Sequence, residues 1–165
     1  MKCRRHFFNH KQYEYAILIL KKFLEEPDGW IENKLNSCLV LSCCYQAMGE
    51  NAAAFDILFY SFTMDVPRAE ICCEIGRLFM EKREYVTAAY WYQQALLAPR
   101  KKKNGGFYIA DSHDFIPAIQ MCVCLDKAGR HREAFEFHKK VRVLKPLHQA
   151  VIGNEKYFRD VWGME

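Results

Sequence analysis

Apolar residues recur three and four positions apart along most of this chain, the spacing of a single helix face. Short polar stretches interrupt the pattern, and three of them are alike. MGEN at 48–51, KREY at 82–85 and KAGRH at 127–131 have the composition of a tight reversal between two helices. Pro27, Pro99 and Pro146 stand after other runs, where a helix must stop. The pattern predicts helices near 1–8, 12–25, 31–48, 51–65, 68–82, 85–98, 114–128, 131–144 and 147–161, an all-α chain. Residue size follows the same rhythm. Ser42, Gly76 and Cys122 in one helix of a pair, and Ala54, Ala88 and Ala134 in the other, let two helices approach closely. Tyr45, Phe79 and Tyr92 fill the space between neighbouring pairs.

The segment IGRLFMEKREYVTAAYWYQQAL at 75–96 is therefore one copy of a repeated unit. The unit resembles the tetratricopeptide repeat, written W-x2-L-G-x2-Y, then A-x3-F, then P. Cys72, Ile75, Gly76 and Phe79 hold the first-helix positions, Ala88 and Tyr92 the second, and Pro99 the close. One period of about 34 residues earlier stand Cys38, Leu41, Ser42, Tyr45, Ala54 and Leu58. The later copy is Ala118, Met121, Cys122, Leu125, Ala134 and His138, closing at Pro146. It is displaced by roughly a dozen residues beyond the period. NHKQYEYAILILKKFLEEP supplies a partial first copy, with Ala16 and Leu20 in place and only KCRRHFF, with Phe7, for its partner helix. LHQAVIGNEKYFRDVW reads as a closing helix. The resemblance implies one domain over 1–165, with a partial repeat at 1–28 and repeats near 31–67, 68–99 and 114–146. An insert loop at 100–114 and a capping helix at 147–161 complete it. Antiparallel helix hairpins would stack in a right-handed superhelix, first helices lining the concave face.

Two segments carry a narrower likeness. PRAEICCEIGRLFMEKREYVTAAYWYQQAL and GGFYIADSHDFIPAIQMCVCLDKAG, continued to NEKYF at 154–158, resemble the helical tail that follows the catalytic domain in a group of bacterial family-2 glycosyltransferases. That resemblance implies a module travelling with a nucleotide-sugar-dependent enzyme that acts on a protein, peptide or cell-surface acceptor. The catalytic part is not expected in this sequence. It contains no D-x-D motif, the nearest approach being Asp111 and Asp114, and no alternation of strands and helices precedes it. The incomplete first copy fits a piece of a longer chain or a small free-standing relative.

Composition narrows the chemistry. With 51% apolar and 27% charged residues among 165, the chain can bury a core and is not a disordered sequence. An uncharged run as long as any in the chain, Leu35 to Gly49, carries Asn36, Ser42 and Gln46, so it reads as a buried helix rather than a membrane span. MKCRRHFFNHKQYEY lacks the apolar stretch of a secretory signal, and a cytoplasmic location is expected. The 8 cysteines agree with that. Cys43–Cys44 and Cys72–Cys73 are adjacent and Cys122 and Cys124 are two apart, with no CxxC. Helical neighbours point in different directions, so these thiols are expected to pack as small hydrophobes in a reducing compartment.

No nucleophile elbow, metalloprotease motif, phosphate loop or zinc spacing is present, and Gly105–Gly106 reads as a turn. His131 and His138 share a helix face near Glu133, but their spacing is loose for a chelate. His138 stands at an aromatic core position, where a packed ring is expected. No catalytic residue, cofactor or metal is anticipated. The net charge of +4 is modest, and KCRR at 2–5 and KKVRVLK at 139–145 are scattered. A nucleic-acid partner would call for a continuous basic stripe interleaved with aromatics.

Two surfaces remain as candidates. The repeat register turns Leu39, Cys43, Gln46, Cys73, Glu74, Arg77, Met80, Ile119, Val123, Asp126 and Lys127 toward the concave side. This mixed apolar and charged set suits an extended peptide or a neighbouring helix. Val40, Glu70 and Glu74 stand where chaperone-tail binders of the family carry a Lys/Asn/Arg clamp, so a chaperone tail is not the expected ligand. The second surface is the insert RKKKNGGFYIADSHD at 100–114, with Asp111, His113 and Asp114. Long loops often carry function. Equally, cations just past a helix end suit its dipole, and Asp114 has the position of a helix cap. The leading expectation is a non-catalytic interaction module that binds an acceptor polypeptide, its own catalytic domain or a second copy. The alternatives are direct participation of the loop in glycosyl transfer within a longer enzyme, and homo-oligomerisation through an apolar first copy that exposes Leu18 and Phe23.

Overall fold

The computed structural model describes residues 10–100 and 108–164. Among them every regular element is helical. In chain order these are α1 (His10–Glu25), α2 (Ile31–Ala47), α3 (Asn51–Tyr60), α4 (Ala69–Glu81), α5 (Tyr85–Leu97), α6 (Phe115–Lys127), α7 (His131–Leu144) and α8 (Gln149–Trp162). Short 3-10 turns follow at Ser61–Thr63 and Ala110–His113. The all-α expectation holds, with ends displaced by a residue or two in most helices. α3 is the exception. The buried Ser61 hydroxyl donates to the Leu58 carbonyl at 2.5 Å, and this side-chain bond tightens the helix end into the 3-10 turn. The helix expected near 1–8, with KCRR and Phe7, lies outside the described residues, as do residues 101–107 with Gly105–Gly106.

The chain divides into two compact units, one holding α1 to α3 and the other α4 to α8. In the first, α2 packs on both α1 and α3. Its core is Leu24, Cys38 and Leu41, flanked by Ile17, Leu20, Tyr45, Ile57 and Met64. In the second, each helix packs on the next in sequence, from α4 through α8, a repeat-like arrangement. Cys72, Ala88, Tyr92, Cys122, Ala134 and Phe158 sit in its main core. Phe115, Ile119, Val141 and Val151 form a second cluster in the same unit. Pro117 is third in α6, where the missing N–H would have had no intrahelical partner.

The three polar breaks fold alike. Gly49, Arg83 and Gly129 adopt left-handed backbone, with φ of 82°, 61° and 78°. The next N–H then returns to the carbonyl five residues back: Glu50 to Tyr45 at 2.8 Å, Glu84 to Phe79 at 2.9 Å and Arg130 to Leu125 at 2.8 Å. The left-handed residues donate to Gln46, Met80 and Asp126 at 3.0, 2.9 and 3.0 Å, completing the paired bonds of a Schellman cap. Glu50, Glu84 and Arg130 then accept the first bond of the following helix through their carbonyls, from Ala54, Ala88 and Ala134. Those alanines are fully buried, and Leu58, Tyr92 and His138, one turn on, are at most 2% exposed.

Candidate functional site

α4 carries the most ordered part of the expected surface. The Arg77 Nε and Nη2 donate to the two Glu74 carboxylate oxygens at 2.9 and 2.5 Å, and Nη1 donates to Glu81 Oε1 at 2.5 Å. Spacings of three and four residues put all three on one helix face. The two-pronged Arg77–Glu74 contact fixes the guanidinium plane. Glu74 is nearly covered, at 14% side-chain exposure, whereas Glu81 is 61% exposed. The ladder therefore runs from covered to open surface. Beside it, Met80 Sδ accepts from the Tyr92 hydroxyl at 3.4 Å.

The other groove candidates divide by burial. Cys73 and Ile119 are buried in the cores and offer a ligand little surface; the Cys73 thiol donates to the Ser112 carbonyl at 3.6 Å. Val123 is half-buried and Lys127 exposed. Asp126 links three helices of its unit. One carboxylate oxygen pairs with His131 Nδ1 at 2.8 Å and the other accepts from the Tyr157 hydroxyl at 3.0 Å. The His131 ring also stacks on Trp162, centroids 3.7 Å apart. In the first unit, Leu39, Cys43 and Gln46 are half-buried, and Gln46 Nε2 donates to Ser42 Oγ at 3.1 Å.

Arg100 and residues 109–114 of the insert fold within the second unit through named polar contacts. Glu70 Oε1 accepts from the Ile109 N–H at 2.9 Å and lies 4.0 Å from Nε2 of the buried His113. Arg100 Nη2 donates to the His113 carbonyl at 3.4 Å and lies 3.5 Å from Asp114 Oδ2. Asp114 is the N-cap of α6, its Oδ1 accepting from the Phe115 N–H. Asp111 pairs with Lys145 at 2.5 Å, and that ammonium lies 4.7 Å above the Phe115 ring. The side chains of Asp111, His113 and Asp114 thus face Lys145, Glu70 and Arg100 respectively, and Arg100 also holds the His113 carbonyl. Glu70, Arg100 and Lys145 were not among the candidates from sequence. Glu70 stood out only as a departure from the chaperone clamp, and Lys145 was one cation in a scattered run.

Burial raises the thiols, Cys38 to about 11 and Cys72, Cys122 and Cys124 to about 12, with Cys73 moved the same way. At neutral pH they stay protonated, and the thiolate is the reactive form. Among the described residues, no group of three or more His, Cys, Asp or Glu side chains is placed to hold a metal ion. No helix among them is long and apolar enough to cross a membrane. No protein-family model and no curated protein matches the chain.

Proposed function

We propose that the chain is a non-catalytic helical-repeat module that presents a fixed surface to another polypeptide. In this reading its helix pairs are antiparallel hairpins of the tetratricopeptide type, stacked in a right-handed superhelix. The observation that carries it is the recurrence of one reversal, hydrogen bond for hydrogen bond, after Tyr45, Phe79 and Leu125. Repeats of this kind act by shape, each copy extending a recognition surface built by the last. In the second unit, the Glu74–Arg77–Glu81 ladder and half-buried Val123 supply the mixed charge and apolar area that an extended peptide or a helix requires.

A photo-crosslinking residue at Val123 or Lys127, with Val143 on α7 as control, tests this in cells. The reading requires one polypeptide to be captured from the α6 positions and lost on Glu74→Ala/Arg77→Ala with helicity unchanged. Equal capture from Val143, or capture that survives the double change, overturns it. The glycosyltransferase association rests on the sequence likeness alone. Sequencing upstream of codon 1 tests it. An in-frame extension with alternating strands and helices and a D-x-D motif supports the association, and a stop codon with a ribosome site removes it.

A second reading has its own observation. Tyr15, Leu18 and Ile19 share one face of α1 and are 67%, 52% and 45% exposed, an apolar strip that a second copy could cover. Phe23 is half-buried. Light scattering over a concentration series decides: a dimer forming with concentration supports it, and a monomer throughout ends it.

A further inference from the structure

Helical spacing brings Phe135, His138 and Arg142 to one face of α7, and Glu155 and Arg159 to one face of α8. Together with Met164 they line a cavity of about 290 Å³, close to the lower end of small-molecule sites. Its inner and outer parts differ in chemistry. His138 is fully buried, its ring stacked on Phe135 and tilted against Phe158, with centroids 5.9 and 5.5 Å away. Neither of its ring nitrogens has a hydrogen-bonding partner. The corresponding residues in the other copies are Leu58 and Tyr92, so a side chain without two unmet polar atoms would serve packing better. Arg142 and Arg159 are about half exposed, and their ionic contacts are long: Arg142 to Glu155 at 3.4 Å, and Arg159 to its neighbour Asp160 at 3.9 Å. The lining thus holds two guanidinium groups and one carboxylate, with Asp160 against Arg159 from outside the lining, and guanidinium favours planar oxyanions.

We propose that this cavity binds a small molecule bearing a carboxylate or phosphate, held by Arg142 and Arg159, with an apolar body against Phe135 and Met164. The neutral imidazole of His138 offers one donor and one acceptor to the inner edge of that ligand. Its lining screens the ring from solvent, so contact requires the long side chain of Met164 or Arg142 to swing aside. Glu155 is the internal competitor, since the ligand's oxyanion takes its place on Arg142. This site is independent of the repeat surface on α4 and α6.

The test titrates the full chain, ¹⁵N-labelled in its histidine rings, with phenyl phosphate, benzoate and uncharged benzyl alcohol. The expected result is saturable binding of at least one charged probe, with a Kd on the order of 1 mM or tighter and movement of the His138 ring signals. Benzyl alcohol does not saturate, and the tighter charged probe identifies the anion. Arg142→Gln/Arg159→Gln weakens binding about tenfold or more. Glu155→Gln tightens it, a gain that misfolding cannot imitate. The proposal is overturned if neither charged probe saturates, if benzyl alcohol binds as well, or if neither variant changes affinity.

Discussion

The Tyr92 ring presses on the backbone of Gly76: a Cβ built there would lie 3.0 Å from Cζ and 3.1 Å from Cε1 and Cε2. The copy with the largest residue in its second helix thus has the smallest in its first. At the corresponding positions, Ser42 accompanies Leu58 and Cys122 accompanies His138. Alanine is the better helix former by about 1 kcal/mol, but Tyr92 is 2% exposed and has little room to retreat. Overpacking of this kind costs about 1–3 kcal/mol. Gly76→Ala should therefore destabilise the protein by on the order of 1 kcal/mol. In a Tyr92→Leu background the same change should become neutral or stabilising, following helix propensity. Urea denaturation of the four proteins checks this; an equal penalty in both backgrounds would remove the ring as its cause.

The three reversals allow a backbone prediction free of packing. Arg83 occupies a left-handed position that the other copies give to Gly49 and Gly129. Left-handed backbone costs an ordinary residue about 1–2 kcal/mol, partly offset because glycine loses more freedom on folding. Arg83→Gly should stabilise the protein by about 0.5 kcal/mol. A Cβ at Gly49 or Gly129 meets nothing within 4 Å, so alanine there should cost about 1 kcal/mol through the backbone alone. Denaturant midpoints with unchanged slopes are the measurement.

The helices and reversals were legible in the sequence because their causes are local. Small residues, prolines and turn composition act within a few positions, and KREY could be matched to the other breaks although Arg83 replaces glycine. The polar partnerships depend on distant packing. Lys145 meets Asp111 from 34 residues away, the Ile109 N–H meets Glu70 from 39, and Tyr157 meets Asp126 from 31. The repeat register assigned Cys73 to the open face without showing that Ser112 of the insert lies against it. It also marked His138 as a packed ring, but α8 lies outside the repeat, so nothing placed Arg159 and Glu155 beside that ring.

His138 should make stability depend on pH in a definite direction. Burial holds it below the ordinary histidine value of 6.5; Arg142 adds to the shift and Glu155 opposes it, while Arg159 also lines the cavity. The unfolded chain thus binds a proton that the folded chain refuses. This contribution is fully present above about pH 6.5 and is lost as pH falls from there toward the folded value, by at most about 1.4 kcal/mol per pH unit. His138→Leu, which copies Leu58, removes the titration and two unpartnered nitrogens. Its stability advantage over the original chain should widen between pH 7 and pH 5, measured by denaturant melts; a constant gap would show that the ring takes up no proton on unfolding.

Asp126 should control how firmly α8 is held. Its carboxylate joins His131 and the Tyr157 hydroxyl, while Trp162 stacks on His131 and donates from Nε1 to the Tyr157 oxygen at 3.2 Å. Neither His131 nor Tyr157 is deeply buried, so water can replace a lost partner and each bond contributes about 0.5–1.5 kcal/mol. Asp126→Ala should therefore cost about 1–3 kcal/mol, and Tyr157→Phe roughly half of that. The loss should be local. Amide exchange in α8 should quicken in both variants, more in Asp126→Ala, while α4 and α5 quicken only as far as global stability falls, because segments open in cooperative units. Equal acceleration in every helix of the unit would mean that α8 opens only with the rest and that Asp126 does not govern it separately.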